Sequence, residues 1–378
     1  MKTKLFIAMA IAGLFSLEAC QSGKTGSDSA DSTMSATDTM TNDSVAAVKQ
    51  IKPKEPAPAW APGIKPEMQA VMEKLASYGD KPIPELTAVQ ARKNHTPTDA
   101  VMDLMKENNI PAPVMNVDTM GKDIPVSGGN IHLRMYTPKT GASTFPVIVY
   151  YHGGGFVIAN LDVYDASAKA LSDQTGSIVV SVAYRLAPEH KFPVAHNDAY
   201  AAYEWVLKNA ASFKGDPKRV ALAGESAGGN LAINTAIKAR DNKLMIPTAI
   251  LAVYPVAGSD MNTKSYQANA KAKPLDKPMM MWFVKNYLNS MSEAKDPRIN
   301  LVAANLKGLP PVTIITAEID PLQSDGMLLA DKLRAAGVKV DDKNYDGVTH
   351  EFFGMGAIVP QAKEALSYGA GQLKSALK

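Results

Sequence analysis

Arg219-Val220-Ala221-Leu222-Ala223-Gly224-Glu225-Ser226-Ala227-Gly228-Gly229-Asn230-Leu231 is the stretch on which the fold turns. Its first part, Arg219–Ala223, is short, mostly apolar and closed by a glycine, the mark of a strand buried on both faces. From Gly229 to Asp241 the apolar spacing becomes helical. Between the two, Gly224-Glu225-Ser226-Ala227-Gly228 matches G-x-S-x-G, a serine at the apex of a sharp strand-to-helix turn. Such a serine sits in a strained backbone conformation and neighbouring side chains would collide, which explains the glycines. The helix that follows brings partial positive charge to Ser226, where it favours a developing anion. A pattern with three fixed positions arises by chance, so its weight comes from the strand before it and the helix after it.

The same alternation extends in both directions. Ile131–Tyr136 alternates apolar and polar residues as a half-buried strand does, and Phe145–Tyr151, Ser177–Ala183, Ala249–Tyr254, Pro311–Ala317 and Val338–Tyr345 read as further strands. Helices are predicted over Tyr164–Thr175, Asn197–Asn209, Asp325–Ala336 and Pro360–Leu377, and before the first strand over Pro66–Tyr78 and around Thr98–Lys106. This order predicts an α/β architecture with a mostly parallel central sheet flanked by helices. The connection from Pro255 to Pro311 is too long for a simple crossover. It carries an apolar helix over Lys277–Leu288 with Met279, Met280, Met281, Trp282, Phe283, Val284 and Tyr287. An insertion with its own helix forms a lid or an extra layer, and its methionines suit either an adaptable pocket wall or plain core packing.

A serine hydroxyl needs a base to become a nucleophile. Of six histidines, only His350 lies downstream of Ser226, as the chain order serine, acid, histidine requires in a sheet of this kind. It follows the Val338–Tyr345 strand, where a loop at a strand end can present it. The acid belongs after the preceding strand: Asp320 is preferred, with Glu318 and Asp325 as competitors. His152-Gly153-Gly154-Gly155-Phe156 ends another strand, and its glycines can turn bare amides inward to join the amide of Ala227 around an oxyanion. A lone glycine triplet is more often a plain turn; here it precedes the serine turn by two strands. His95, His132, His190 and His196 read as structural or exposed; His190 and His196 have no Cys or carboxylate partners at metal-ligand spacing, so no metal site is expected and the chemistry needs no cofactor.

Taken together, His152–Phe156, Tyr184-Arg185-Leu186-Ala187-Pro188-Glu189, Gly224–Gly229, Leu309-Pro310-Pro311, Asp320-Pro321-Leu322 and His350 resemble the hormone-sensitive-lipase family of α/β-hydrolases, the bacterial family IV esterases. The resemblance runs from about Pro66 to Lys378. It implies an α/β-hydrolase fold with a helical cap formed from about 63–112 and 256–300. It also implies Ser226, Asp320 and His350 as the catalytic triad. Gly154, Gly155 and Ala227 would supply the oxyanion amides, Gly153 would shape the turn, and His152 and Glu225 would support the loop. The implied reaction is hydrolysis of short to medium acyl esters through an acyl-enzyme, with a carbohydrate-ester or amide hydrolase as the alternative on the same machinery. A non-catalytic binding protein is the reading from another class: the plant gibberellin receptor resembles this family but lacks the histidine that His350 supplies. Three departures stand out: Glu225 where Asp is more common, Gln323-Ser324-Asp325 without the usual Arg, and Glu351 where Gly usually follows the histidine.

Composition bounds the rest. At 46% hydrophobic and 20% charged residues the chain is globular, and a net charge of +3 without any basic stripe gives no reason to expect a nucleic-acid partner. The lysines from Lys264 to Lys277 read as a solvated loop. At the N-terminus, Lys2 and Lys4 precede an apolar run from Leu5 to Leu17, a secretory signal over 1–19. Leu17-Glu18-Ala19-Cys20 resembles a bacterial lipobox, with the sole cysteine where cleavage and acylation would fall; Glu18 departs from the small residue preferred there, and ordinary signal cleavage near the same point is the alternative. From 20 to 62 the chain is rich in Ser, Thr, Asp and then Pro, a linker of roughly 35 Å reach. The expected product is an exported, membrane-anchored envelope lipoprotein whose hydrolase domain occupies 63–378.

Overall fold

The computed structural model describes residues 51–378. The signal segment, Cys20 and the linker up to residue 50 lie outside the described residues. Eight strands form one sheet: β1 (Val117–Val126), β2 (Gly129–Pro138), β3 (Phe145–Tyr151), β4 (Ile178–Ala183), β5 (Gly215–Glu225), β6 (Ile250–Val253), β7 (Val312–Ile319) and β8 (Val340–Thr349). Their order is β1-β2-β4-β3-β5-β6-β7-β8. β2 runs antiparallel to β1 and β4, and all other neighbours are parallel. Every strand expected from the sequence is present; β1 was not expected, because most of its residues are exposed on both faces and leave no alternation to read.

The sheet divides the core in two. Val147, Val149, Val220, Leu222 and Ile314 point to one face, under helices Val194–Asn209, Ala227–Asp241 and Gln323–Ala335. Ile148, Tyr150, Ala221, Ala223, Leu251 and Ile315 point to the other, under helices Asp165–Thr175 and Pro360–Ala376. Successive residues of each strand thus serve opposite faces, and a strand buried on both must be apolar throughout.

Two stretches differ from the sequence reading. Residues 51–62, assigned there to the linker, belong to the folded domain: Ile51 and Ala61 are buried. The Lys54 and Glu55 amides donate to Glu73 at 2.7 and 3.1 Å, and the Gln69 amide donates to the Glu55 and Pro56 carbonyls at 2.6 and 3.1 Å. Prolines hide this packing from a periodicity argument, since their extended backbone is held by side chains of helix Pro66–Ser77 instead of a ladder. Lys264–Lys277 is likewise no solvated loop. It opens with the short helix Lys264–Ala268, and Ser265, Tyr266, Ala272 and Leu275 are buried between its exposed lysines.

Candidate active site

Ser226 stands between β5 and helix Ala227–Asp241 with φ 56° and ψ −116°, a backbone conformation that side chains rarely adopt. The glycines around it are steric requirements: a Cβ on Gly224 would strike the Gly228 carbonyl, and one on Gly228 would strike the Tyr151 carbonyl. Asp320 follows β7 and His350 follows β8, so all three side chains gather at the carboxyl ends of parallel strands. His350 Nε2 lies 3.0 Å from Ser226 Oγ, and His350 Nδ1 lies 2.7 Å from Asp320 Oδ2. The second Asp320 oxygen accepts the Leu322 amide at 2.8 Å. Ser226, Asp320 and His350 are 5%, 0% and 3% exposed.

The competing acids are occupied elsewhere. Glu318 accepts the Gly347 amide at 2.7 Å, and Asp325 accepts the amides of Ala257 and Gly258 at 3.2 and 2.7 Å. Other histidines are engaged away from Ser226: His196 is buried between the Tyr287 hydroxyl and Asn230, His95 stacks on Tyr78, and His132 meets Asp123.

The glycine loop after β3 faces the serine. Gly154 and Gly155 have φ of 93° and 58°, and a Cβ would meet the Ile158 carbonyl at the first and the Phe283 ring at the second. The amides of Gly154, Gly155 and Ala227 are bonded to no backbone carbonyl among the described residues, leaving three donors free for an anion. Gly153 shapes the turn, its carbonyl lying 2.8 Å from His152 Nδ1 and accepting from the Tyr184 hydroxyl at 3.1 Å. Burial holds the His152 imidazole down at about 4, so it is neutral and stacks on Tyr184 at 4.3 Å.

Two further carboxyls lie close to the site, Glu225 beneath it and Glu351 on the cavity wall. Glu225 is buried and accepts the Tyr150 and Tyr254 hydroxyls at 2.5 Å each; burial pushes its pKa up to about 7 against the pull of those bonds. Glu351 has φ 70°, the left-handed region where glycine is at ease. Its two oxygens each lie 2.7 Å from the Tyr164 hydroxyl, and one lies 3.9 Å from His350 Nε2. Burial raises the Glu351 pKa, opposed by the nearby His350. At His350 burial pushes the other way, but Asp320 and then Glu351 outweigh it and hold the imidazole above its ordinary 6.5. Tyr150, Tyr164 and Tyr254 were not legible as site residues, for aromatics in apolar runs read as core.

A cavity of about 960 Å³ is lined by Ser226, His350, Glu351 and a largely apolar wall. The wall comes from both stretches expected to form the cap. Helix Lys277–Tyr287, capped by Asp276 through the Met279 amide at 2.9 Å, turns Met279, Met280, Phe283 and Val284 to the cavity and leaves Met281 exposed. The Trp282 indole donates to the Leu86 carbonyl at 2.9 Å, tying this helix to the N-terminal part. Arg92 clamps that part to the body, donating to the carbonyls of Val157 and Ala187 at 2.8 and 2.7 Å and to both Glu189 oxygens.

Fold and site together define an α/β-hydrolase with its polar constellation beneath a helical cap. The family model described as "alpha/beta hydrolase fold" matches residues 148–354. Carboxylesterase NlhH of Mycobacterium tuberculosis is 37% identical over 297 residues, 78% of this chain and 89% of that protein. An esterase structure from Pseudomonas putida has a TM-score of 0.77 at 31% identity, covering 84% of this chain and 99% of its own. The hyperthermophilic esterase from Pyrobaculum calidifontis has a TM-score of 0.74 at 34% identity, covering 83% and 98%. The chain belongs to the hormone-sensitive-lipase family of α/β-hydrolases.

Proposed function

We propose that this serine carboxylesterase works through Ser226, Asp320 and His350 on short to medium acyl esters. The single observation that carries the proposal is the unbroken chain of contacts from Asp320 through His350 to Ser226, in a cavity that the glycine loop also lines. His350 takes the Ser226 proton as Oγ attacks the ester carbonyl, and the oxyanion accepts from the amides of Gly154, Gly155 and Ala227. Asp320 holds the imidazole in the tautomer that presents a bare Nε2 and stabilises the imidazolium. That imidazolium then gives its proton to the departing alcohol, and water repeats the sequence on the acyl-enzyme. A binding-only role gives no reason for a histidine poised 3.0 Å from the serine.

The cap supports the limit on chain length, since an acyl group must fit beneath Phe283 and Met280 instead of lying on an open face. Hydrolysis of p-nitrophenyl esters from acetate to palmitate by the full chain in detergent tests this. Activity should peak among the short esters, and Ser226→Ala should lower it by at least about a thousandfold with the fold intact. An equal rate in Ser226→Ala would overturn the assignment. The N-terminal sequence supports export and acylation at Cys20, which would hold the enzyme on the cell envelope.

A further inference from the structure

Glu351 follows the proposed base directly, at a φ of 70° where a side chain is costly, yet it carries a carboxylate. That carboxylate lines the cavity and lies 3.9 Å from His350 Nε2, the atom that must protonate the departing alcohol. It therefore stands beside the reacting centre, within reach of an alcohol held on Nε2. Its place is fixed: the Tyr164 hydroxyl meets both oxygens at 2.7 Å, and Tyr164 is itself wedged under the oxyanion loop, where a Cβ on Gly153 would strike its hydroxyl. A carboxylate accepts about four hydrogen bonds. One tyrosine hydroxyl leaves acceptor capacity on a carboxylate that lines a largely apolar cavity beside Ser226 and His350, and a fixed polar group of that kind sets specificity.

We propose that Glu351 is a specificity-determining residue for the alcohol half of the substrate, accepting a hydrogen bond from a hydroxyl on the carbon next to the ester-bearing one. The enzyme then favours esters of polyols over esters of simple alkanols; the inference rests on the ester-hydrolase reading above. The geometry suits such a donor, because an alcohol oxygen seated on Nε2 brings the oxygen of the next carbon within reach of the carboxylate. A neutral hydroxyl fits better than a cation. As His350 becomes an imidazolium, a second positive charge beside it would be repelled, whereas a hydroxyl adds none. Hydrogen bonds to ionised acceptors are the strong ones, so the preference should be large enough to measure.

The test compares kcat/KM for 2-hydroxyethyl acetate and propyl acetate, which match in size, in wild type, Glu351→Gly, Glu351→Gln and Tyr164→Phe. Dividing the wild-type ratio by each variant's ratio cancels the intrinsic reactivity of the two esters. Glu351→Gly suits the backbone at this φ, so its fold should persist, and its ratio should fall about tenfold, roughly 1.4 kcal/mol. Glu351→Gln, which keeps a neutral acceptor, should fall in between, and Tyr164→Phe should lower the ratio by releasing the carboxylate. A ratio unchanged in Glu351→Gly overturns the inference, as does a Glu351-dependent preference for acetylcholine over both esters. If wild type fails to hydrolyse even p-nitrophenyl acetate, the ester reading itself falls and takes this inference with it, an outcome distinct from an unchanged ratio.

Discussion

Glu225 and His350 are both buried, and burial disfavours charge on each, yet their partners lead to different pH behaviour. His350 must be neutral to accept the Ser226 proton. Because its pKa is raised, it holds its proton to a higher pH than a free imidazole, and activity is lost as pH falls through that value. The acid limb of kcat/KM should therefore have its midpoint above 6.5 in wild type, and Glu351→Gln should move it down by removing one of the charges that raise it. A pH–rate profile of both proteins decides this. Glu225 keeps its proton to about 7, whereas an unfolded glutamate ionises near 4.5, so its burial lowers stability as pH rises between those values. Tyr254→Phe deletes one of its two donors while keeping the ring that packs 4.5 Å from His350. That variant should lose about 1–3 kcal/mol at pH 8, where the carboxylate is ionised, and less at pH 5. Urea denaturation at the two pH values measures the difference. Ser226, Asp320 and His350 were legible as candidates because each follows its own strand in a fixed chain order. The tyrosines that hold Glu225 and Glu351 were not, since hydroxyls that meet buried carboxyls across the fold leave no local pattern.

Among the polar links between cap and body, Arg92 makes four side-chain hydrogen bonds. Its ion pair with Glu189 is part-exposed, with side chains 26% and 46% accessible, and a pair of that kind contributes about 0–1 kcal/mol. The two carbonyl bonds to Val157 and Ala187 carry more consequence, because Val157 directly follows the oxyanion loop. Arg92→Lys keeps the charge but loses the planar fork. It should therefore impair kcat/KM nearly as much as Arg92→Ala, each by about tenfold, a loss of 1.4 kcal/mol; recovery of wild-type kinetics in the lysine variant would show that charge alone matters. The elements that escaped sequence reading share one cause. β1 is exposed on both faces, 51–62 is proline-rich, and Lys264–Lys277 alternates lysines with small residues. None presents the periodic apolar face on which such reading depends. The Lys277–Tyr287 helix, dense in large apolar residues, was legible, though which of its methionines face the cavity was set only by its neighbours.

For the molecule as a whole, the strapping of 51–62 onto helix Pro66–Ser77 moves the start of the folded domain closer to Cys20 than composition implied. Should Cys20 be acylated as proposed, wild-type protein should fractionate with membranes and carry the added acyl mass. Cys20→Ser should then lose that mass, and its esterase activity should leave the mature membrane-anchored pool; unchanged mass in both would overturn the anchor. Architecture and chain order were legible from alternation and motif. Where the body begins was not, for it depends on side chains reaching across from a helix.

The bond from the Trp282 indole to the Leu86 carbonyl has a practical consequence. The chain has three tryptophans: Trp60 in the strap, Trp205 stacked against Phe213, and Trp282 at the junction of the two cap pieces. With Trp60 and Trp205 replaced by phenylalanine, emission would arise from that junction alone. Parting of the cap pieces would wet the indole and shift its fluorescence to the red, so the protein carries an optical gauge of its own lid, readable in real time as a substrate enters.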